Sequence, residues 1–107
     1  MTISKKAVED DVEVEWQQKG RAYVLFYASW CPYSQRFLQI FREYEKTNPD
    51  ECVEVIIDSK PDLCDKYEIN YYPTVLVFKK GKLHKRLDAV PGKGLTKTQL
   101  EEFTEDT

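Results

Sequence analysis

Seven residues, Ala22-Tyr23-Val24-Leu25-Phe26-Tyr27-Ala28, form an unbroken apolar run with no alternation of polar and apolar positions. A short run rich in Tyr, Val and Phe is how a central strand buried on both faces reads, and such a strand needs covering layers on both sides. Three residues further on stands Cys31. Pro32 then suits the first turn of a helix, where its missing N–H costs nothing. Phe37, Ile40, Phe41 and Tyr44 follow at helical spacing and supply the face that docks this helix on the sheet. A strand running into a helix with cysteine at the junction puts the sulfur at a helix N-terminus. Unpaired N–H groups and the helix dipole favour a sulfur anion there.

Elsewhere the chain alternates between the same two periods. Lys5 to Lys19 carries Val8, Val12 and Trp16 on one helical stripe, and Gly20 fits the position just past its end. Acidic residues from Glu9 to Glu15 crowd its solvated sides. Cys52 to Asp58 predicts a second strand, followed by a turn at Ser59-Lys60-Pro61-Asp62 and a short helix through Tyr67. Tyr72-Pro73 precedes a third strand, Thr74 to Phe78, and Lys79-Lys80-Gly81-Lys82 predicts a hairpin into a fourth, Leu83 to Leu87. Pro91-Gly92-Lys93-Gly94 reads as a flexible joint. Thr96 and Gln99 offer a capping box for a last helix that carries Leu100 and Phe103. Two strands joined by a helix should run parallel and a hairpin antiparallel. The expected fold is therefore a single α/β domain over residues 1–107, a central mixed sheet flanked by helices on both faces.

Charge and cysteine usage narrow the function. A net charge of −3 without a clustered basic face argues against nucleic acid as a partner. No run approaches the roughly 18 apolar residues of a membrane span, and Met1 to Ala7 lack the apolar core of a signal peptide. A cytoplasmic setting without a membrane partner is the expectation. Cys31, Cys52 and Cys64 are odd in number and contain no Cys-x-x-Cys. With His84 their spacings of 21, 12 and 20 residues match no zinc pattern, so neither a metal nor any other cofactor is expected. Cys52, opening a strand, and Cys64, beside Leu63, read as packing thiols. Cys31, at a strand end before proline, reads as exposed and reactive.

Four segments in order, FYASWCPYS, VIIDSKPDLCDKYEI, YYPTVLVFKKGK and GLTKTQLEEF, resemble the thioredoxin family. An ordinary first strand is missing, with only Thr2-Ile3-Ser4 to supply it. The resemblance implies a thioredoxin-like fold and a thiol–disulfide oxidoreductase acting on protein disulfides. It makes Cys31 the nucleophile, with Trp30, Pro32 and Tyr33 flanking it as a landing surface. Tyr72-Pro73 corresponds to the family's cis-proline loop, where the Tyr72 backbone would hydrogen-bond an extended substrate.

The departures from the family pattern matter as much. The resolving cysteine is Ser34, the buried acid of the preceding strand is Leu25, and the lysine of the neighbouring strand is Glu54, expected as an exposed strand residue. Ser34 is placed to offer its hydroxyl to the Cys31 sulfur, but a hydroxyl cannot displace a mixed disulfide at neutral pH as a thiolate does. The site can begin an exchange and needs an external thiol to end it. Ser34 is then a natural monothiol feature, an engineered Cys→Ser trap, or a sign that the domain only binds partners. The external partner would be a thioredoxin reductase or glutathione. The Cys-Pro-Tyr-Ser motif also resembles monothiol glutaredoxins, which would bring glutathione or an iron–sulfur cluster. The Gly-Gly-x-x-Asp glutathione-binding stretch of that family is not present here.

Overall fold

The computed structural model describes residues 12–107. Thr2–Ser4, the stretch available for the missing first strand, and the first part of the helix predicted over Lys5–Lys19 lie outside them. The described remainder of that helix, α1, covers residues 12–17. β1 (Arg21–Tyr27), α2 (Pro32–Thr47), β2 (Cys52–Ile56), α3 (Pro61–Lys66), β3 (Thr74–Lys79), β4 (Lys82–Asp88) and α4 (Lys97–Glu105) follow. The sheet order is β2-β1-β3-β4. β1 runs parallel to β2 and antiparallel to β3, and β3 pairs antiparallel with β4. This is a thioredoxin-like α/β fold, a four-stranded mixed sheet flanked by helices.

Period-two alternation in β1 divides its side chains between two cores. Tyr23, Leu25 and Tyr27 point to one face, where Phe37 and Phe41 of α2 and Leu100 and Phe103 of α4 meet them. Ala22, Val24 and Phe26 point to the other, against Trp16 of α1 and Leu63 of α3. Trp16 stacks on Phe78 with ring centroids 5.3 Å apart. Full burial of each large apolar side chain is worth about 1.5–3 kcal/mol, which is why an unalternating strand sits at the centre of the sheet.

Three local expectations are corrected. β2 ends at Ile56 rather than Asp58, because Ile57–Ser59 turns into a 3₁₀ segment. The hairpin turn closes over two residues, Lys80 and Gly81, at φ 52° and 83°, so β4 gains a residue at each end. Left-handed backbone at both positions matches the twist of the strands they join. Residues 90–94 are no flexible joint: the N–H groups of Lys93 and Gly94 both donate to the Val90 carbonyl at 2.9 Å, and Val90 N–H returns a bond to Gly94. The capping box of α4 forms with both of its hydrogen bonds. β4 is an edge strand whose Lys82, His84, Lys85 and Arg86 are exposed, a charged edge that discourages pairing with another chain.

Candidate active site

β1 delivers the chain to Ala28, and a turn closed by Cys31 N–H to the Ala28 carbonyl (3.3 Å) brings Cys31 back over the strand end. Cys31 is the N-cap of α2, with extended backbone (φ −95°, ψ 123°) and Pro32 in the first turn. Its carbonyl accepts the helical bond from Gln35 N–H at 3.0 Å, while its side chain makes no capping hydrogen bond. The expected exposure of Cys31 is corrected: the residue is only 8% exposed. The turn that its N–H closes with the Ala28 carbonyl keeps it close to the end of β1.

Ser34 is fully buried, and its Oγ accepts the Ala28 N–H at 3.1 Å. One lone pair of the hydroxyl is engaged by the backbone at the end of β1. The expected hydrogen bond to the Cys31 sulfur is not among its contacts in the described residues. The bond ties the first turn of α2 to the strand that precedes it. It also satisfies a backbone donor that would otherwise be buried without a partner.

The flanking aromatics have different surroundings. Trp30 is 65% exposed and meets Tyr72 edge-on, with ring centroids 5.9 Å apart. Tyr33 is 37% exposed and donates from its hydroxyl to the Gly92 carbonyl at 3.0 Å. Pro32 is exposed beside it. The Tyr72–Pro73 peptide bond is cis, and the Pro73 carbonyl accepts from Ala89 N–H at 3.1 Å. Pairing of Phe26 with Thr74 carries Tyr27 and Ala28 past this segment. Tyr72 has no backbone hydrogen bond among the described residues.

Residues that the sequence did not single out hold these pieces in place. Thr74, fully buried, donates to the Tyr71 carbonyl at 2.7 Å and approaches Asp88 at 3.2 Å. Arg86 grips Asp88 and donates to the carbonyls of Tyr67 and Glu68 at 2.9 and 3.0 Å. Arg86 thereby ties the segment leading to Tyr72-Pro73 to β4. Arg36 donates to the Lys93 carbonyl at 2.9 Å. A β-branched run flags a strand, but nothing in the sequence links Arg86 or Arg36 to carbonyls so distant along the chain.

Leu25 is fully buried and stands opposite Glu54 in the parallel β1/β2 pair. Glu54 is not an exposed strand glutamate. Arg42 of α2 grips it with two hydrogen bonds of 2.9 Å, and these hold its carboxyl below the usual range. Burial pushes the neighbouring Glu45 carboxyl up, and its hydrogen bond to Glu54 adds to the effect. Nearby Cys52 is pushed up to about 12, chiefly by burial and then by Glu45, Glu51 and Glu54. Burial likewise raises the Cys64 thiol, helped by Asp65 and Asp58. Both are packing thiols, and Cys31, Cys52 and Cys64 are all free. Among the described residues no group of three or more His, Cys, Asp or Glu could hold a metal ion.

A family model described as Thioredoxin matches residues 2–106, and the chain belongs to the thioredoxin family. Over 73 residues, 65% of this chain and 44% of the relative, it is 40% identical to Thioredoxin Y2, chloroplastic, of Arabidopsis thaliana. Over 68 residues it is 43% identical to Endoplasmic reticulum resident protein 44.2 of Caenorhabditis elegans, covering 57% of this chain and 16% of that protein. The chain spans less than half the length of either relative. The solved structure of mitochondrial Thioredoxin 3 from Saccharomyces cerevisiae, in its oxidised form, shares the fold with a TM-score of 0.76. That match is 23% identical and covers 91% of this chain and 88% of the other.

Proposed function

We propose that this domain carries out thiol–disulfide exchange on protein disulfides, with Cys31 as the only nucleophile of the site. The Cys31 thiolate attacks one sulfur of a substrate disulfide, forming a new S–S bond as the old one breaks. The displaced sulfur leaves as a thiolate and takes a proton from solvent. Ser34 cannot carry out the second displacement, so the thiolate of an external thiol, from glutathione or a reductase of the thioredoxin reductase type, attacks the substrate sulfur of the mixed disulfide. A disulfide between that thiol and the substrate forms as the bond to Cys31 breaks and frees the Cys31 thiolate. The observation that carries this reading is the pairing of Cys31 at the α2 N-cap with a hydroxyl, already bonded to Ala28 N–H, where a second thiol would stand. The exposed faces of Trp30 and Tyr33, together with the backbone of Tyr72 beside Pro73, support an extended substrate segment lying across the site. A reducing compartment such as the cytoplasm suits a chain whose three cysteines are all unpaired.

The test is incubation of the reduced protein with a protein disulfide, followed by acid quench and mass spectrometry. A stable one-to-one adduct on Cys31, released by added glutathione, is expected. Ser34→Cys should replace that adduct with multiple turnovers in the presence of a dithiol reductant. Absence of both the adduct and the turnover would remove the redox assignment and leave a binding module.

A further inference from the structure

The hairpin that joins β3 to β4, and β4 itself, concentrate positive charge. Five of the eight residues from Lys79 to Arg86 are lysine or arginine and none is acidic, a concentration that the overall charge of −3 conceals. Lys82, His84, Lys85 and Arg86 are exposed along β4, an edge of the described sheet. Edge lysines keep two copies of such a strand from pairing, and that role needs charge on the edge alone. Here the charge continues inward. Arg21 stands opposite Lys79 and Lys79 opposite Lys82, so three cations lie in one row across β1, β3 and β4. Glu51 engages Arg21, but Lys79 and Lys82 make no ion pair among the described residues. Like charges directly opposite each other destabilise a sheet. Lys80 adds a second unfavourable choice: its φ of 52° is left-handed backbone, which glycine adopts at lower cost. Protection of the edge accounts for neither the Lys79–Lys82 row nor Lys80. A ligand of opposite charge accounts for both.

The backbone of β4 narrows the kind of ligand. On the side away from β3, alternate N–H and C=O groups of an edge strand have no sheet partner. Among the described residues no strand lies beyond β4, and His84, between Leu83 and Lys85, has no partner in β3 either. The carbonyls in such a row accept from peptide N–H groups and repel the oxygens of phosphate or sulfate. The place is also remote from Cys31: β1 starts beside Lys79 and runs seven residues, about 20 Å, before the chain turns to Cys31. We propose that β4 is a docking edge for an acidic polypeptide segment, which adds to the sheet as a further strand while the site at Cys31 stays open. Backbone pairing fixes the geometry of the added strand. Lys79, Lys80 and Lys82, with Lys85 held only 3.7 Å from an exposed Asp106, set the preference for acidic side chains. The charges that keep two copies of β4 apart attract a segment of the opposite sign. The inference does not depend on the exchange chemistry proposed for Cys31.

The probe is an end-blocked peptide of alternating Glu and Thr. A second form, N-methylated at alternate residues, keeps the charge and loses the N–H donors. Each is titrated into the protein at low salt, with backbone NMR and amide hydrogen exchange as readouts. The first peptide should bind, shift the amide signals of residues 82–88 and slow their exchange. The methylated form should bind about tenfold more weakly or less, as expected for the loss of a few hydrogen bonds. Lys82→Glu should weaken binding of the first peptide about three- to tenfold. The same variant should raise thermal stability, because it places opposite charges across the hairpin from Lys79, so weaker binding would not be a sign of unfolding. Absence of peptide binding overturns the proposal, and so does equal binding of the two peptides by wild type, a comparison that needs no variant. Undiminished binding to Lys82→Glu overturns it as well. Tighter binding of a single-stranded DNA oligonucleotide or of anionic phosphatidylserine vesicles, tested in parallel, would make the surface a general polyanion patch and overturn it too. Alkylation of Cys31 by iodoacetamide should keep its rate with the first peptide bound. A slower rate would place the peptide over Cys31 and overturn the docking edge.

Discussion

Replacing Ser34 by alanine separates a structural role for this residue from the proposal that it stands where a second thiol would. Ser34 is fully buried, and its Oγ takes the Ala28 N–H at 3.1 Å, so alanine leaves a backbone donor buried without a partner. Such a loss costs about 1–3 kcal/mol. Alanine's better helix propensity returns at most about 0.5 kcal/mol within α2. The net destabilisation is therefore about 1–2 kcal/mol. At roughly 4–8 °C per kcal/mol for a domain of this size, Tm should fall by about 5–15 °C. Urea unfolding followed by fluorescence of the buried Trp16 should show an earlier midpoint with an unchanged slope. Ser34→Cys is expected to fall between the two, because a thiol is a weaker acceptor than a hydroxyl. A Ser34→Ala protein as stable as the parent would refute the reasoning and reduce Ser34 to a passive filler.

Two further outcomes follow from the titrating groups. Brief treatment with iodoacetamide at pH 7 should add one group to the native protein, on Cys31, and three after unfolding in urea. Burial raises the thiols of Cys52 and Cys64 and so disfavours the reactive thiolate at both; rapid native labelling of either, read by peptide mass, would contradict this. Glu13 supplies a pH dependence. Burial opposes its ionisation, but hydrogen bonds from Lys66 and the Tyr67 hydroxyl, both at 2.6 Å, outweigh burial and leave its carboxyl below the ordinary value of 4.5. A folded-state value below the unfolded one means that Glu13 stabilises the protein fully above pH 4.5. That stability is lost as pH falls from there through the lowered value. Glu13→Gln should lower stability at pH 7 and flatten its fall below pH 4.5, and parallel acid unfolding curves for the two proteins would argue against it.

Local features of the chain were legible because their physics acts over a few residues. The unalternating run Ala22–Ala28 marks a strand buried on both faces, whichever elements bury it, and it forms the centre of the sheet. Pro32 after Cys31 starts a helix at that junction, and Thr96 with Gln99 closes its own cap. Even where a boundary moved, at Ile57–Ser59, the element itself was there and only its end had shifted.

Residue types and spacing alone set the order of the elements, the place of Cys31 at the head of a helix and the presence of a hydroxyl at position 34. Each of these depends on residue type and spacing along a short stretch. Only the tertiary structure decided how far Cys31 is covered and where the Ser34 hydroxyl bonds. Only there do Glu54, Arg42 and Glu45 meet, and only there do Arg36 and Tyr33 reach carbonyls 57 and 59 residues away. A polar side chain on a helix has many backbone partners open to it. Which one it takes depends on the loop that folding brings against it, and no periodicity in the chain encodes that choice.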